Sequence, residues 1–415
     1  MSEILAIAKR ARLAGRRVAA LPSESKNRAL RAMAAQLRAH LKTLLEANAL
    51  DMAEAQADNL SAALLDRLRL DEGRVEAMAR GLEQVAELPD PVGKLSESWR
   101  RPNGLQVQRR RIPLGVIALI YEARPNVTAD AAGLCLKSGN AVILRGGHEA
   151  LRSNRAIVGL LQEACSSSGV PADAIQLVGN PDYRLMDELL QLEEYLDLVI
   201  PRGGEVLIRH VSERSRVPVL KHAKGVCHIY VDAQADLTQA TKISLNAKVQ
   251  RPGVCNAMET LLVHEEIAPR FLPDLIGELR AQGVRVRGCE RTRALVPGIE
   301  PTSEEDWSAE YLDLILSIRV VPDLEAAIGH IERYSSQHTE AIVTQDAQAA
   351  EEFLRRVDSS AVLLNASTRF NDGGELGLGV EIGISTTKLH AFGPMGLREL
   401  TTTKFVVCGD GQVRE

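Results

Sequence analysis

The chain has 415 residues, 45% hydrophobic and 25% charged, enough for two or three soluble globular domains with a large core. A net charge of -5, an aromatic content of 3% and dispersed basic residues provide no basic face or ring platform for nucleic acid, so a small-molecule partner is expected. Cys135, Cys165, Cys227, Cys255, Cys289 and Cys408 stand without a CxxC pair, which points away from a disulfide framework or a metal site and fits a reducing cytoplasm.

In chain order, Lys9, Arg10, Arg12, Arg16 and Arg17 interrupt any apolar leader-like run, and no later stretch approaches the length of a membrane span. Residues 2–92 read as helices: Leu30, Met33, Leu37, Leu41, Leu44 and Leu45 recur at three-and-four spacing, as do Val75, Met78, Leu82 and Val85. Ser23, Ser61 and Asp71 are candidate N-caps, and Asp90-Pro91 ends the last helix. The expected job of this region is to cover one face of a sheet. Trp99–Arg111, turning at Pro102-Asn103-Gly104, reads as an exposed hairpin whose arginines suit a solvated or subunit-pairing strand, or contact with a phosphate.

From Ile112 the pattern becomes strand then helix. Apolar runs at Leu114–Tyr121, Ala141–Leu144, Ile175–Val178, Leu196–Ile200 and Val217–Leu220 alternate with helical stretches near Val127–Lys137, Ala150–Ser167, Tyr183–Gln191 and Glu205–Ser215. That is repeated βαβ, hence an α/β fold with a Rossmann-type parallel sheet, whose ligands are expected at the carboxyl ends of the strands. Two such ends carry glycine pairs beside arginine, Arg145-Gly146-Gly147-His148 and Arg202-Gly203-Gly204. Each suits close approach of a phosphate, although a Gly-Gly after a strand can also be only a turn.

A second α/β unit follows, with strands expected at His228–Asp232, Glu259–Val263, Leu314–Val321, Glu340–Val343 and Ala361–Asn365, and Thr401–Val407 free to pair with the hairpin. Within it, the helix Leu237–Val249 breaks at Pro252-Gly253 and delivers Cys255 into a turn. A loop thiol in that setting is a candidate nucleophile, the alternative being a small apolar filler.

The runs Pro113–Ile117, Glu122–Val127, Lys137–Gly147, Gln250–Asn256 and Leu376–Thr386 together resemble the aldehyde dehydrogenase superfamily, in its branch acting on acyl phosphates, over nearly the whole chain. The resemblance implies a cofactor-binding domain at 1–97 and 114–226, a catalytic domain at 227–366, a pocket-lining connection at 367–389, and a β oligomerisation element at 98–113 and 390–415. It places Cys255 on the nucleophile and Asn126 on the amide of the oxyanion hole. Arg145 falls near the cofactor ribose, Gly203-Gly204 near the pyrophosphate, and Glu310 near the nicotinamide ribose. His222 stands where aldehyde-oxidising members carry a glutamate base, and His148 replaces an acid on the adenosine ribose, a change that favours NADP(H) over NAD(H).

The implied reaction is NADPH-dependent reduction of L-glutamyl 5-phosphate through a cysteine thioester, in a cytoplasmic homo-oligomer with glutamate 5-kinase as a possible partner. The alternatives are an aldehyde-oxidising dehydrogenase, which the missing glutamate disfavours, and a scaffold that keeps the fold alone. Ser367, Thr368 and Arg369 are expected at the substrate, Arg369 gripping its α-carboxylate unless it makes only a surface ion pair. His148 could otherwise only cap the helix that follows it, and His222 could be purely structural.

Overall fold

The computed structural model describes residues 2–221 and 224–414, the side chains of Ala62 and Ala63 apart. These residues form two compact units. The first comprises residues 2–221, Gly377–Gly383 and residues 395–414, and the second runs from residue 224 to Leu376 and includes Ile384–Pro394.

The first unit opens with helices Glu3–Val18, Ser23–Ala39, Leu41–Ala57, Ala62–Leu68 and Glu72–Glu87. Ser61 and Asp71 cap theirs as expected, accepting from the N–H groups of Leu64 and Arg74. Ser23 is instead the first helical residue, after Pro22. Four parallel strands follow in the order Ile175–Leu177, Ala141–Arg145, Val116–Tyr121, Leu198–Arg202. Ile4, Ile7, Ala8 and Ala11 of the first helix pack with Val116, Ala118, Ile120, Ala141 and Ile143 of this sheet, so the N-terminal region does cover it. Val217–Leu220, expected as a further strand, makes only one isolated bridge, Val219 to Val199. Pro218 explains this, because it lacks the N–H that a ladder needs.

The hairpin is present as Leu95–Arg100 and Gln106–Pro113, antiparallel, and Thr401–Cys408 adds to it from Thr401 opposite Pro113 to Cys408 opposite Gln106. Trp99 and Phe405 meet edge to face across this small sheet, their ring centroids 6.2 Å apart.

The second unit is a seven-stranded parallel sheet in the order Glu300–Pro301, Arg285–Gly288, Ile315–Val321, Met258–His264, Cys227–Val231, Thr339–Val343, Ala361–Leu364. Apolar clusters fill both faces, one around Phe271, Leu275 and Ile318, the other around Tyr230, Ile328 and Phe353. The first two strands escape sequence reading because Arg285 and Arg287 alternate with Val286 over only four residues, too short and charged to register as an apolar run. Among the described residues, no helix is long and apolar enough to cross a membrane.

One buried ion pair organises the centre of this unit. Lys248, in the last turn of the helix Leu237–Val249, places its Nζ 2.6 Å from Glu259 Oε2 on the strand Met258–His264, and both side chains are fully buried. Burial lowers the lysine pKa and raises that of Glu259 to about 7, each against the attraction of its partner. Removing one partner strands an uncompensated charge, whereas replacing both with apolar groups does not. Glu259→Ala is therefore expected to destabilise the protein by about 3–5 kcal/mol, and Lys248→Met with Glu259→Leu by much less. Denaturant unfolding of the two variants checks this, and equal losses would contradict it.

Candidate active site

Cys255 lies in the eight-residue gap between the helix ending at Val249 and the strand beginning at Met258, half-buried in a turn. It stands at the amino edge of its sheet, not at the carboxyl edge expected for ligands of parallel sheets, because it precedes its strand. The backbone behind it is tightly packed: a Cβ at Gly225 would overlap the Cys255 carbonyl, so only glycine fits there. Glu310 Oε1 holds Gly225 in place by accepting its N–H at 2.9 Å. Cys227 is a poor reserve nucleophile: burial pushes its thiol pKa well up, and its Sγ donates to the Cys255 carbonyl at 3.2 Å.

Arg369 follows Ser367 and Thr368 in a short helical turn, Thr368–Phe370. Its Nη1 donates to Asn256 Oδ1, and its Nε donates to Gln250 Oε1 at 2.9 Å. Asn256 in turn donates through Nδ2 to the carbonyls of Asn371, at 3.1 Å, and Arg369, at 3.4 Å. The residue after the cysteine thus staples this loop to the thiol turn. Among the described residues no carboxylate pairs with Arg369, whose pKa is lowered by burial first and by Arg251 second, with Cys255 among the groups acting on it. Asp372 attracts it without forming an ion pair, and a guanidinium under those conditions stays charged beside the thiol turn. Ser367 Oγ accepts the Arg369 N–H at 3.3 Å, and Thr368 Oγ1 is buried without a partner.

In the first unit, Asn126 is the second residue of the helix Pro125–Lys137, with proline at its first turn and Ala123 in the left-handed region at φ 21° just before it. Its exposed amide donates to Asp130 Oδ2 at 3.2 Å, one helical turn on. Gly203 and Gly204 precede the helix Glu205–Arg214, and the Gly204 N–H donates to Glu122 Oε2 at 2.8 Å. An anionic oxygen already sits on this turn, where a phosphate oxygen would bind. Arg202 lies beside Gly383, where any Cβ would strike its guanidinium.

At the other turn, a Cβ at Gly146 would meet Asn154 and one at Gly147 would meet Glu149. Arg145 is buried, donates to the Pro181 carbonyl at 2.6 Å, stacks over Tyr183 and has its Nε unpartnered; burial lowers its pKa. His148 is exposed at the start of the helical turn His148–Ala150, while Glu149 turns inward to accept the Ala123 N–H at 2.5 Å.

The structure therefore gathers Cys255, Glu310, Ser367, Thr368 and Arg369 in one unit, and Asn126, the two glycine turns, Arg145, His148 and Arg202 in the other. His222 lies outside the described residues. Sequence reasoning assigned no role to Asn256, Gln250 or Asp130; the amides adjoining the thiol turn, within the run Gln250–Asn256, were the available signal.

Residues 1–287 match the model of the aldehyde dehydrogenase family. The γ-glutamyl phosphate reductase of Moorella thermoacetica is 57% identical over 413 residues, 100% of this chain and 99% of that protein. That of Caldanaerobacter subterraneus subsp. tengcongensis is 55% identical, with both chains covered fully. The crystal structure of the γ-glutamyl phosphate reductase from Thermotoga maritima superposes with a TM-score of 0.98 at 48% identity, covering 100% of both chains.

Burial raises the Asp130 pKa to about 6, against the opposing pull of Asn126 and Arg202. A carboxyl raised on folding contributes stability that is fully present below about pH 4 and is lost as pH rises through about 6. The advantage of the wild type over Asp130→Asn is therefore expected to shrink between pH 4 and pH 7. Denaturant midpoints of both proteins at each pH measure it, and a constant difference would contradict the assignment.

Proposed function

The chain belongs to the γ-glutamyl phosphate reductases of the aldehyde dehydrogenase family, oxidoreductases acting on an aldehyde or acyl phosphate, and from that membership we propose that it reduces L-glutamyl 5-phosphate to L-glutamate 5-semialdehyde with NADPH, releasing phosphate, in the second step of proline biosynthesis from glutamate. The observation that carries this reading is a thiol on a turn stapled to a guanidinium that forms no ion pair among the described residues.

In this reading Cys255 Sγ, as thiolate, attacks the γ-carbonyl carbon. The S–C bond forms, the C–O bond to phosphate breaks, and phosphate leaves with the electron pair. The Asn126 amide donates to the oxyanion of the tetrahedral intermediate, an interaction worth about 3–4 kcal/mol where such donors have been removed from other enzymes. Arg369, presented by Gln250 and Asn256, takes the substrate α-carboxylate through its remaining N–H groups, with Ser367 and Thr368 alongside. His222, carried over from the resemblance, favours the thiolate when protonated and eases departure of the phosphate.

The glycine turns suit a dinucleotide: a side chain at Gly146, Gly147 or Gly203 would displace Asn154, Glu149 or Glu122, and the Gly204 N–H already bonds a carboxylate oxygen. Gly203 and Gly204, with Arg202, would hold the pyrophosphate, Gly146, Gly147 and Arg145 the adenosine ribose, His148 a 2′-phosphate and Glu310 the nicotinamide ribose. NADPH bound there would supply the hydride that reduces the thioester, after which the S–C bond breaks, its electron pair returning to Cys255 Sγ as the semialdehyde leaves.

Run in reverse with semialdehyde and NADP, the enzyme is expected to turn over repeatedly only when inorganic phosphate is present, forming at most one NADPH per active site without it. Sustained phosphate-independent turnover would indicate an aldehyde oxidiser, and no NADPH formation under either condition a scaffold. Cys255→Ser is expected to abolish turnover while leaving NADPH affinity unchanged; substantial residual turnover would remove Cys255 from the role. Arg369→Ala is expected to raise the KM for semialdehyde at least tenfold, about 1.4 kcal/mol of lost binding. An unchanged KM would show that Arg369 only braces the loop.

A further inference from the structure

The second unit carries a polar cavity, of about 530 Å³, between the helix Leu324–Tyr334, the strand Ile315–Val321, the start of the helix Glu290–Leu295 and the short turn Glu305–Ser308. That volume suits a small metabolite. Cys289, which lines it, follows its strand, whereas Cys255 precedes its own, so the cavity opens at the carboxyl side of the sheet and the thiol turn lies at the amino side.

The charges on its wall are unevenly satisfied. Arg333 donates to Glu304 Oε1 at 2.8 Å, and the Tyr334 hydroxyl donates to the same oxygen at 2.6 Å, so that cation and that acid neutralise each other. Arg319 is different. Its guanidinium lies over the Trp307 ring, 5.6 Å from the centroid, and Nη1 donates to His330 Nδ1 at 2.8 Å, yet among the described residues it pairs with no carboxylate. A ring nitrogen that accepts from a guanidinium carries no proton, so His330 is neutral and bears its hydrogen on Nε2. Burial, followed by His228 and Arg319, pushes its pKa down to about 2 in agreement.

His330 is 4% exposed, and its Nε2 has no partner. A buried donor left unmade is costly, which marks this wall as built for more than packing. The remaining acid is Glu290, exposed, lining the same cavity, and without an ion pair among the described residues. As the first residue of its helix it gains from the helix dipole, which accounts for its charge but not for its facing Arg319's cavity.

After the internal pair is set aside, one cation and one anion remain. We propose that this cavity is a second ligand site that binds a free α-amino acid, its carboxylate on Arg319 and its ammonium group on Glu290. An anion alone would satisfy Arg319 but meet repulsion from Glu290, and an amine alone would meet the reverse. A zwitterion satisfies both. The site does not depend on the reaction assigned to Cys255.

Trp307 reports on it directly. In a Trp99→Phe background it is the remaining tryptophan, and its ring contacts the Arg319 guanidinium. Each of the standard α-amino acids is titrated into the full-length protein while Trp307 fluorescence is followed, with succinate and inorganic phosphate as probes lacking an ammonium group. At least one amino acid is expected to give a saturable change, weakened tenfold or more by Glu290→Gln and by Arg319→Gln and retained in Arg369→Ala. Glu290 is exposed and bonds to nothing needed for folding, so its variant keeps the test informative if Arg319→Gln disturbs the core. The proposal is overturned if no amino acid changes the signal, if the response survives Glu290→Gln at full strength, if it is lost in Arg369→Ala, or if succinate or phosphate reproduces it at the same concentration.

Discussion

A thiol on a turn has a defined position only if the turn cannot wander, and the fixing of residues 250–257 is the constraint on which the second unit depends. Below the turn, the fully buried Lys248–Glu259 pair joins the last helical turn before it to the first strand residues after it. Above it, Asn256 and Gln250 hold the Arg369 loop. Behind it, Gly225 fits against the Cys255 backbone and is tied to Glu310. The Lys248–Glu259 pair is shielded from water, so it is worth more than the same contact at the surface and costs more when half removed, whereas the Arg369–Gln250 bond is exposed. Among the described residues none of these ties engages the Cys255 sulfur.

The same logic explains why the two parallel sheets use opposite edges. In the first unit the glycine turns follow their strands and open helix N-termini, the usual arrangement for holding phosphates. In the second, a thiol must stand on a turn that a helix enters and a strand leaves, which places it before the strand. The N–H at one glycine turn, that of Gly204, donates to the Glu122 carboxylate.

Much of this was legible in the residues. Helical periodicity in the first hundred residues, βαβ alternation, the late strand returning to the hairpin and the thiol after Pro-Gly all follow from local pattern, because each is written in neighbouring side chains. What was not legible is long-range. Arg285–Gly288 becomes a strand through pairing with Ile315–Ile318, and Val217–Leu220 fails to become one because Pro218 cannot donate. Asn256 acquires its role only when Arg369 is folded beside it. The Arg319 cavity joins residues from four elements and the loops between them, and no sequence spacing announces that one of its arginines lacks an acid.

The central claim is that Cys255 carries the acyl group. It is tested most directly by incubating the enzyme with semialdehyde and NADP without phosphate, quenching in acid, and mapping the covalent adduct by peptide mass spectrometry. The account requires a glutamyl-sized mass increase on the peptide containing Cys255, located on that residue and removed when inorganic phosphate is added before the quench. An adduct on another residue, or turnover with phosphate and no adduct without it, would contradict the account.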